Sequence, residues 1–214
     1  MSEPVTAAKC GALLDALRVK KPLVHFITNY VTVNDCANIT LAVGGAPVMS
    51  DQPDDAAEIC RLASALVFNI GTPGDRTLEA MLRAGKAANE AGIPVVLDPV
   101  GAGASSFRNR LLEKLLEEVK FAAVKGNISE IRFLASGTGK SMGVDASKDD
   151  IALGSDSSAV ARLAAGLSRG IGAVVIVSGR IDVAADGERA YGISNGDAMM
   201  GRLTGTGCMG SGVV

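Results

Sequence analysis

The sequence contains no tryptophan, and aromatic residues make up only 3% of its 214 residues. The core must therefore be aliphatic, built from Ala, Val, Leu and Ile. A single His and four Cys without any Cys-x-x-Cys spacing are too few and too scattered to predict a zinc site. In a cytosolic chain we expect these cysteines (Cys10, Cys36, Cys60, Cys208) to be free thiols rather than disulfides.

The sequence also lacks an excess of charge of either sign. Its formal net charge is −2 and no basic block stands out, which argues against a nucleic-acid partner. Residues 1–4 lack the basic and apolar regions of a signal peptide, and no apolar run approaches the ~18 residues that span a bilayer. These features predict a soluble, cytoplasmic protein with no membrane partner.

Apolar residues make up 48% of the chain, and they alternate between helical stripes and short continuous runs. The pattern predicts strands near 23–27, 46–49, 66–70, 94–97, 122–124 and 173–177, and a hairpin of 181–185 with 189–193. It predicts helices near 7–18, 34–43, 59–66, 75–91, 107–119 and 157–169. Repeated strand–helix–strand units predict one α/β domain over residues 1–214, a mostly parallel sheet with helices on both faces.

Ligands of such folds bind beyond the carboxyl ends of the strands, so polar residues at those positions are the candidates for function. Two carboxylates (Asp98, Glu130), one cation (Lys125) and two hydroxyls (Thr72, Ser178) lie there, together with a glycine loop at 204–208. This set would serve a magnesium–nucleotide complex.

The loop Thr204-Gly205-Thr206-Gly207-Cys208 is the most informative of these segments. Without a Cβ, Gly205 and Gly207 let the backbone approach a ligand and point N–H groups at it. A helix that begins there would help to stabilise a transferred phosphoryl group. A thiol at a helix start also ionises more readily, so Cys208 is a candidate proton acceptor. On spacing alone, a plain strand-to-helix turn explains the loop equally well.

Two further segments each allow two interpretations. Asn127 and Glu130 have the spacing of a helix capping box, which in isolation is the simpler explanation. Alternatively, Glu130 holds magnesium through water while Lys125 meets phosphate. Asp98 ends an apolar strand, where a carboxylate is poorly placed for core packing. The glycines that follow it resemble a dinucleotide motif only weakly, because Ser stands where the third Gly belongs.

The remaining candidates are better explained by packing. His25 lies inside an apolar strand and is expected to be a satisfied core histidine. Cys10, Cys36 and Cys60 lie on helical patterns and are expected to be ordinary buried cysteines.

At this point the sequence resembles hydroxyethylthiazole kinase, a thiamine-salvage family of the ribokinase-like superfamily, from about residue 10 to its end. Six ordered motifs carry the resemblance: Ile27–Val31, Gly45–Met49, Asn69–Thr72, Leu97–Gly103, Lys125–Glu130 and Thr204–Cys208. Together they are specific, whereas a single one would not be.

The resemblance implies a ribokinase-like three-layer sandwich and ATP-dependent phosphorylation of 4-methyl-5-(2-hydroxyethyl)thiazole with magnesium. Its motifs match Met49, Gly205 and Asn29 to substrate-binding positions and Lys125 and Ser178 to ATP-contacting positions. They match Asp98 and Glu130 to the magnesium and phosphate carboxylates. The superfamily usually has Asp where this family has Cys, so Cys208 matches the catalytic position. The resemblance also implies a trimer with the thiazole site between subunits.

Three alternatives remain open at the level of sequence. One is another kinase of this fold, acting on a hydroxymethylpyrimidine-type alcohol or a sugar. Another is an ATP-dependent dehydratase of hydrated nicotinamide nucleotides, which the fold also hosts. The third is a non-catalytic form, because family members continue past Val214 and the chain is expected to lack their C-terminal helices.

Overall fold

The computed structural model describes residues 5–136 and 156–214. Eight strands of these residues form one sheet in the order β2-β1-β3-β4-β5-β6-β7-β8. The strands are β1 (Leu23–Ile27), β2 (Ala46–Met49), β3 (Ala65–Asn69), β4 (Val95–Asp98), β5 (Ala123–Asn127), β6 (Val174–Ser178), β7 (Asp182–Ala185) and β8 (Ala190–Ile193).

The helices of the described residues alternate with the first six strands, as the sequence predicted. They are α1 (Ala7–Lys20), α2 (Val33–Val43), α3 (Pro53–Leu62), α4 (Asp75–Ala91), α5 (Ser106–Glu118), α6 (Ile128–Ala135), α7 (Ser157–Ile171) and α8 (Thr206–Ser211), with a 3-10 helix at Ala198–Arg202. Across the described ranges, none of these helices has the length and apolar character to cross a membrane.

Strands β1 to β6 are all parallel, and β7 and β8 extend the sheet as the predicted antiparallel hairpin. Parallel strands need a crossover between them, and the helices provide it. The predicted mostly parallel α/β sheet is therefore confirmed.

Helices cover both faces of the sheet, which makes the predicted three-layer sandwich. The larger apolar core lies on one face and includes residues of α3, α4, α5, α6 and α7. A smaller cluster lies on the other face, where Phe26, Val67, Val96 and Ala123 of the sheet meet Cys36 of α2 and Cys208 of α8. Side chains alternate between the faces along a strand, so every second residue points into this thinner layer.

Some helices and strands begin or end at residues other than those predicted. The helix predicted near 59–66 is α3, which begins at Pro53 and ends at Leu62, and proline is favoured in the first turn of a helix. Strand β5 extends to Asn127 because Lys125, Gly126 and Asn127 pair with Ile176 to Ser178 of β6. Helix α1 forms as predicted, but its apolar stripe buries no residue within the chain.

Candidate functional site

Three polar side chains are carried by neighbouring strands onto the thinner face of the sheet. Asn69, Asp98 and Lys125 each lie two residues after an apolar residue of the smaller cluster (Val67, Val96 and Ala123), so they point to the same side. All three are buried, at 3%, 4% and 8% exposure. Asn69 and Asp98 are directly opposite each other in the register of β3 and β4. The site thus lies under α2 and α8, at the carboxyl edge of the sheet.

Asp98 has an unusual environment for a carboxylate. Its Oδ2 atom accepts hydrogen bonds from Asn69 Nδ2 at 2.8 Å and from Ser211 Oγ at 2.7 Å. Burial raises the pKa of Asp98 to about 6, although these two hydrogen bonds and the charge of Lys125 oppose the rise. No hydrogen bond to its Oδ1 atom is present within the described residues, which leaves that oxygen available to a ligand.

Lys125 is held against the start of α8. Its Nζ donates to the carbonyl oxygen of Gly207 at 2.8 Å, and Ser211 Oγ donates to the same carbonyl at 3.3 Å as well as to Asp98. The short helix after the glycine loop is therefore tied to both the cation and the carboxylate of the sheet.

Glu130 has the capping role that the sequence favoured. Asn127 Oδ1 accepts from the Glu130 backbone N–H, and Glu130 Oε2 accepts from the Asn127 backbone N–H at 2.8 Å, which completes the capping box. Its other oxygen, Oε1, accepts from the Gly101 backbone N–H at 3.0 Å. Because both oxygens are already hydrogen-bonded, a cation would reach Glu130 most easily through a water molecule.

Cys208 lies beside Asn29 and directly follows Gly207, whose carbonyl oxygen accepts from Lys125. The Asn29 amide donates to Cys208 Sγ at 3.5 Å and to Asn69 Oδ1 at 2.9 Å. Asn29 is buried, and its Oδ1 accepts from both the backbone N–H and the hydroxyl of Thr32. The candidate proton acceptor and the candidate substrate residue therefore touch.

Gly205 immediately precedes α8 and has a φ of +89°, a left-handed conformation that favours glycine. A Cβ at this position would lie 2.4 Å from Cγ2 of Thr32. The loop therefore needs glycine here both for its backbone conformation and for its close approach to the residue that holds Asn29.

A cavity of about 770 Å³ opens beside Lys125 and the glycine loop. Its walls include the candidate nucleotide residues Lys125 and Ser178, the loop residue Gly207, Arg180 of the β6–β7 turn and Asp182 at the start of β7. Ser178 Oγ donates to the Gly126 carbonyl oxygen at 3.3 Å, which joins the ends of β5 and β6 at the cavity wall. The volume lies within the usual range for ligand pockets.

Met49 and Thr72 complete the predicted set. Met49 is opposite Phe26 in the strand register and packs partly buried against the smaller cluster, as Cys208 does. Thr72 Oγ1 accepts from the backbone N–H of Tyr30 at 3.4 Å. The candidates therefore line one continuous edge of the sheet, from Met49 and Asn29 to Lys125 and Ser178.

The buried-residue expectations were only partly right. All four cysteines are free, and Cys36 and Cys60 are buried, but Cys10 is exposed because α1 buries nothing in this chain. His25 is fully buried, yet only half of its ring is satisfied. Its Nε2 donates to the Ser50 carbonyl oxygen at 2.8 Å, while Nδ1 has no hydrogen-bond partner among residues 5–136 and 156–214.

Three residues that shape the site were not among the candidates predicted from the sequence. Asn69 and Ser211 bond directly to Asp98. Arg108 donates to the carbonyl oxygens of Ile70, Gly71 and Val100 and so joins the loops after β3 and β4. The position of Asn69 at the end of an apolar strand was a usable signal, whereas Ser211 and Arg108 lie on helices and gave none.

The arrangement suits a magnesium ion whose ligands are mostly water molecules and substrate phosphates. Within residues 5–136 and 156–214, no group of three or more His, Cys, Asp or Glu side chains is placed to hold a metal. Magnesium is commonly bound by one or two carboxylates, with water and substrate phosphates completing its shell. The free oxygen of Asp98, with Glu130 reached through a bound water, fits that mode.

Comparisons with known proteins agree on one family. The family model described as Hydroxyethylthiazole kinase family matches residues 14–214. A hydroxyethylthiazole kinase of Clostridium beijerinckii is 51% identical over 201 residues, which cover 94% of this chain and 72% of the relative. One of Desulfovibrio desulfuricans is 52% identical over 202 residues, covering 94% and 71%.

Solved structures give the same result. The structure of a hydroxyethylthiazole kinase protein from Pyrococcus horikoshii superposes with a TM-score of 0.81 at 37% identity, over 94% of this chain and 72% of the other. A ribokinase-like superfamily protein from Enterococcus faecalis has a TM-score of 0.59 at 8% identity, covering 89% and 68%. The second match supports the fold alone, which is ribokinase-like as expected.

Proposed function

This chain belongs to the hydroxyethylthiazole kinase family, and on that premise we propose that it transfers the γ-phosphoryl group of ATP to the hydroxyl of 4-methyl-5-(2-hydroxyethyl)thiazole. The observation that carries the proposal is the contact of Cys208 with Asn29 at the start of α8. The thiol that we propose as the proton acceptor thus touches the amide that we propose to bind the substrate, and the cavity with Lys125 lies at the same loop.

We assign the cavity to the nucleotide. Lys125 supplies positive charge and Ser178 supplies a hydroxyl at its wall, and Arg180 adds a second cation. Gly207 presents a backbone without a side chain to the same space. Charged and N–H groups of this kind are what a transferring phosphoryl group requires.

We assign magnesium to Asp98, with Glu130 reached through water. The bound ion would neutralise phosphate charge and hold the phosphates in place. Asp98 would offer its free Oδ1, because Asn69 and Ser211 occupy Oδ2. Binding of a cation next to Asp98 would also favour its ionised form, against the effect of burial.

We assign the thiazole alcohol to the side of the site that Met49, Asn29 and Gly205 form. Met49 would contact the apolar ring, and the Asn29 amide and the Gly205 backbone would fix its orientation. The hydroxyl would then point at the γ-phosphorus, with Cys208 accepting its proton as the new P–O bond forms, the bond from the γ-phosphorus to the bridging oxygen breaks and ADP leaves. Phosphoryl transfer depends mostly on positioning and electrostatics, so a modest base suffices.

We further propose that residues 1–214 act as one catalytic domain in the cytoplasm, where ATP is available, and that three copies associate. The proposal of a trimer rests on the family resemblance. Two exposed apolar side chains support an interface beside the site, Tyr30 at 78% and Val31 at 61% exposure, which directly follow Asn29.

The test is ADP release by the purified chain, measured in a coupled assay with Mg-ATP. We expect release with the thiazole alcohol, and little with a hydroxymethylpyrimidine, a sugar or no acceptor. Chelation of magnesium should abolish the release, because the phosphate charge that the ion neutralises would then be left uncompensated. Equal release with the pyrimidine alcohol, or release that needs no alcohol, would contradict the assignment.

A further inference from the structure

Asn69 is a buried side chain with three hydrogen bonds, and the proposed mechanism gives it no direct role. It is the last residue of β3, is 3% exposed, and lies between β1 and β4 in the sheet. Its Nδ2 donates to Asp98 at 2.8 Å, and its Oδ1 accepts from Asn29 Nδ2 and from the Gly71 backbone N–H, both at 2.9 Å.

The orientation of this amide is dictated by partners that cannot change roles. A backbone N–H can only donate, so the atom that faces Gly71 must be the Asn69 oxygen, which leaves the nitrogen to face the Asp98 carboxylate. The same logic orients Asn29, because its oxygen faces the backbone N–H of Thr32. Its nitrogen must therefore face Asn69, and its second hydrogen is directed at Cys208 Sγ.

The result is a fixed polar chain across three strands and α8. It runs from Cys208 through Asn29 and Asn69 to Asp98 by direct hydrogen bonds, and the backbone partners allow only one orientation of each amide. We propose that Asn69 is a positioning residue: it locks the Asn29 amide against Cys208 and holds Asp98 in register with it. Cys208, the proposed proton acceptor, and Asp98, the carboxylate assigned to magnesium, would then be held in place by the same pair of amides.

Replacement of Gly71 can disturb the contact between Asn69 and Asn29 without removing either amide. A Cβ on Gly71 would lie 3.0 Å from both Asn69 Oδ1 and Asn29 Cβ, closer than side chains normally pack. Gly71→Ala should therefore push the two amides apart while both remain present.

The test is a double-mutant cycle of Asn69→Ala and Asn29→Ala, followed by kcat and KM in the coupled assay. Removal of a group that orients reactive residues typically costs about 10- to 100-fold in activity. We expect kcat to fall by this factor in each single variant, with KM for ATP little changed. Because Asn69 acts partly through Asn29, the double variant should lose less activity than the product of the two single losses. Independent, multiplying losses would overturn the proposal.

Asn89 provides a matched control. It too makes two hydrogen bonds that join separate elements, donating to the Lys120 carbonyl oxygen at 2.9 Å and accepting from the Lys120 backbone N–H at 2.8 Å, but it lies far along α4. Asn89→Ala should lower the unfolding midpoint and leave kcat unchanged. If Asn69→Ala behaves like Asn89→Ala, its role is structural only and the positioning role is wrong.

A second measurement does not depend on kinase activity, although the inference itself rests on the proposed role of Cys208. The rate of Cys208 alkylation by iodoacetamide at fixed pH is measured in a Cys10→Ser background, without nucleotide or metal. Burial raises the pKa of Cys36, and raises that of Cys60 to about 11, so neither should compete. Loss of the Asn29 hydrogen bond should slow alkylation roughly 2- to 10-fold.

The same slowing is expected in Asn69→Ala, in Gly71→Ala and in the double variant. An unchanged alkylation rate in Asn69→Ala and Gly71→Ala would overturn the inference. Should Asn69→Ala fail to fold, Gly71→Ala decides the question. Failure of the wild-type chain to phosphorylate the thiazole alcohol would overturn the proposed function alone, because the alkylation result stands apart from it.

Discussion

At the scale of single residues, Cys208 is distinguished from the other three cysteines by its contacts. Cys36 and Cys60 are buried among apolar groups, Cys10 is exposed on α1, and only Cys208 among the four accepts a hydrogen bond from a buried amide of the site. General-base catalysis, the role proposed for Cys208, typically contributes about 10²- to 10⁴-fold in rate.

Cys208→Ala should therefore lower kcat by a factor in this range and raise KM much less, while Cys208→Asp should stay active. Both are measured by steady-state ADP release, with Cys10→Ala as the control that keeps full activity. Full kcat in Cys208→Ala would show that no base is needed at this position.

His25 is the single histidine of the chain, which makes its effect on stability measurable. Burial lowers the pKa of His25 from 6.5, and in the part of the chain that the structure describes Nδ1 has no acceptor for a second proton. Below pH 6.5 the unfolded chain binds a proton that the native state resists, so the free energy of unfolding falls as the pH falls.

Urea unfolding of the wild type and of His25→Gln between pH 5 and 7.5 measures this effect. Below pH 6.5 the wild type should lose stability relative to His25→Gln, by at most about 1.4 kcal/mol of unfolding free energy per pH unit. The raised pKa of Asp98 acts in the opposite direction, but it is common to both proteins and cancels in the difference. A difference that does not vary with pH would contradict the buried, neutral state of His25.

At the scale of elements, α8 is a short helix held in place by its neighbours rather than by its own length. Lys125 and Ser211 tie it to the sheet, and Gly205 packs against Thr32 of the β1–α2 loop. A helix of this length is not stable in isolation, so these contacts determine where Cys208 lies.

The two loop glycines should therefore respond differently to replacement by alanine. Gly205→Ala adds a left-handed backbone cost of about 1–2 kcal/mol and a clash with Thr32, so both stability and kcat should fall. A Cβ on Gly207 would meet no atom within 4 Å, but it would enter the cavity assigned to the nucleotide. Gly207→Ala should keep its stability and raise KM for ATP.

Thermal unfolding and the coupled assay distinguish these outcomes. An unchanged KM for ATP in Gly207→Ala would argue that the nucleotide phosphates do not approach this part of the loop. Equal destabilisation by both substitutions would contradict the close approach of Gly205 to Thr32.

At the scale of the whole molecule, the larger core covers one face of the sheet and the site occupies the other, beneath the thinner layer. This layer leaves Tyr30 and Val31 exposed next to Asn29. If three chains associate there, the solution mass should be three times the 21.7 kDa of one chain.

Tyr30→Asp should dissociate this assembly, since a charge in an apolar interface loses its hydration. Leu62→Asp is the matched control, because Leu62 is 73% exposed on α3, on the opposite face. Light scattering during gel filtration gives the mass of each variant. A monomeric wild type, or dissociation by Leu62→Asp alone, would contradict an interface beside the site.

The sequence by itself determined the alternation of elements, the parallel sheet, the capping box at Asn127 and the strand ends that carry Asp98 and Lys125. These follow from local periodicity and from the geometry of single turns, which short stretches of sequence specify. Six ordered motifs were enough to identify the family.

Only the tertiary structure decided how those residues act together. The contacts of Asn29 with Cys208 and of Ser211 with Asp98 join residues 179 and 113 positions apart. No local pattern encodes such distances. The same holds for α1, whose apolar stripe predicted a buried face that the chain does not provide. Burial and hydrogen bonding depend on which elements meet, and that is a property of the packed sheet rather than of any segment.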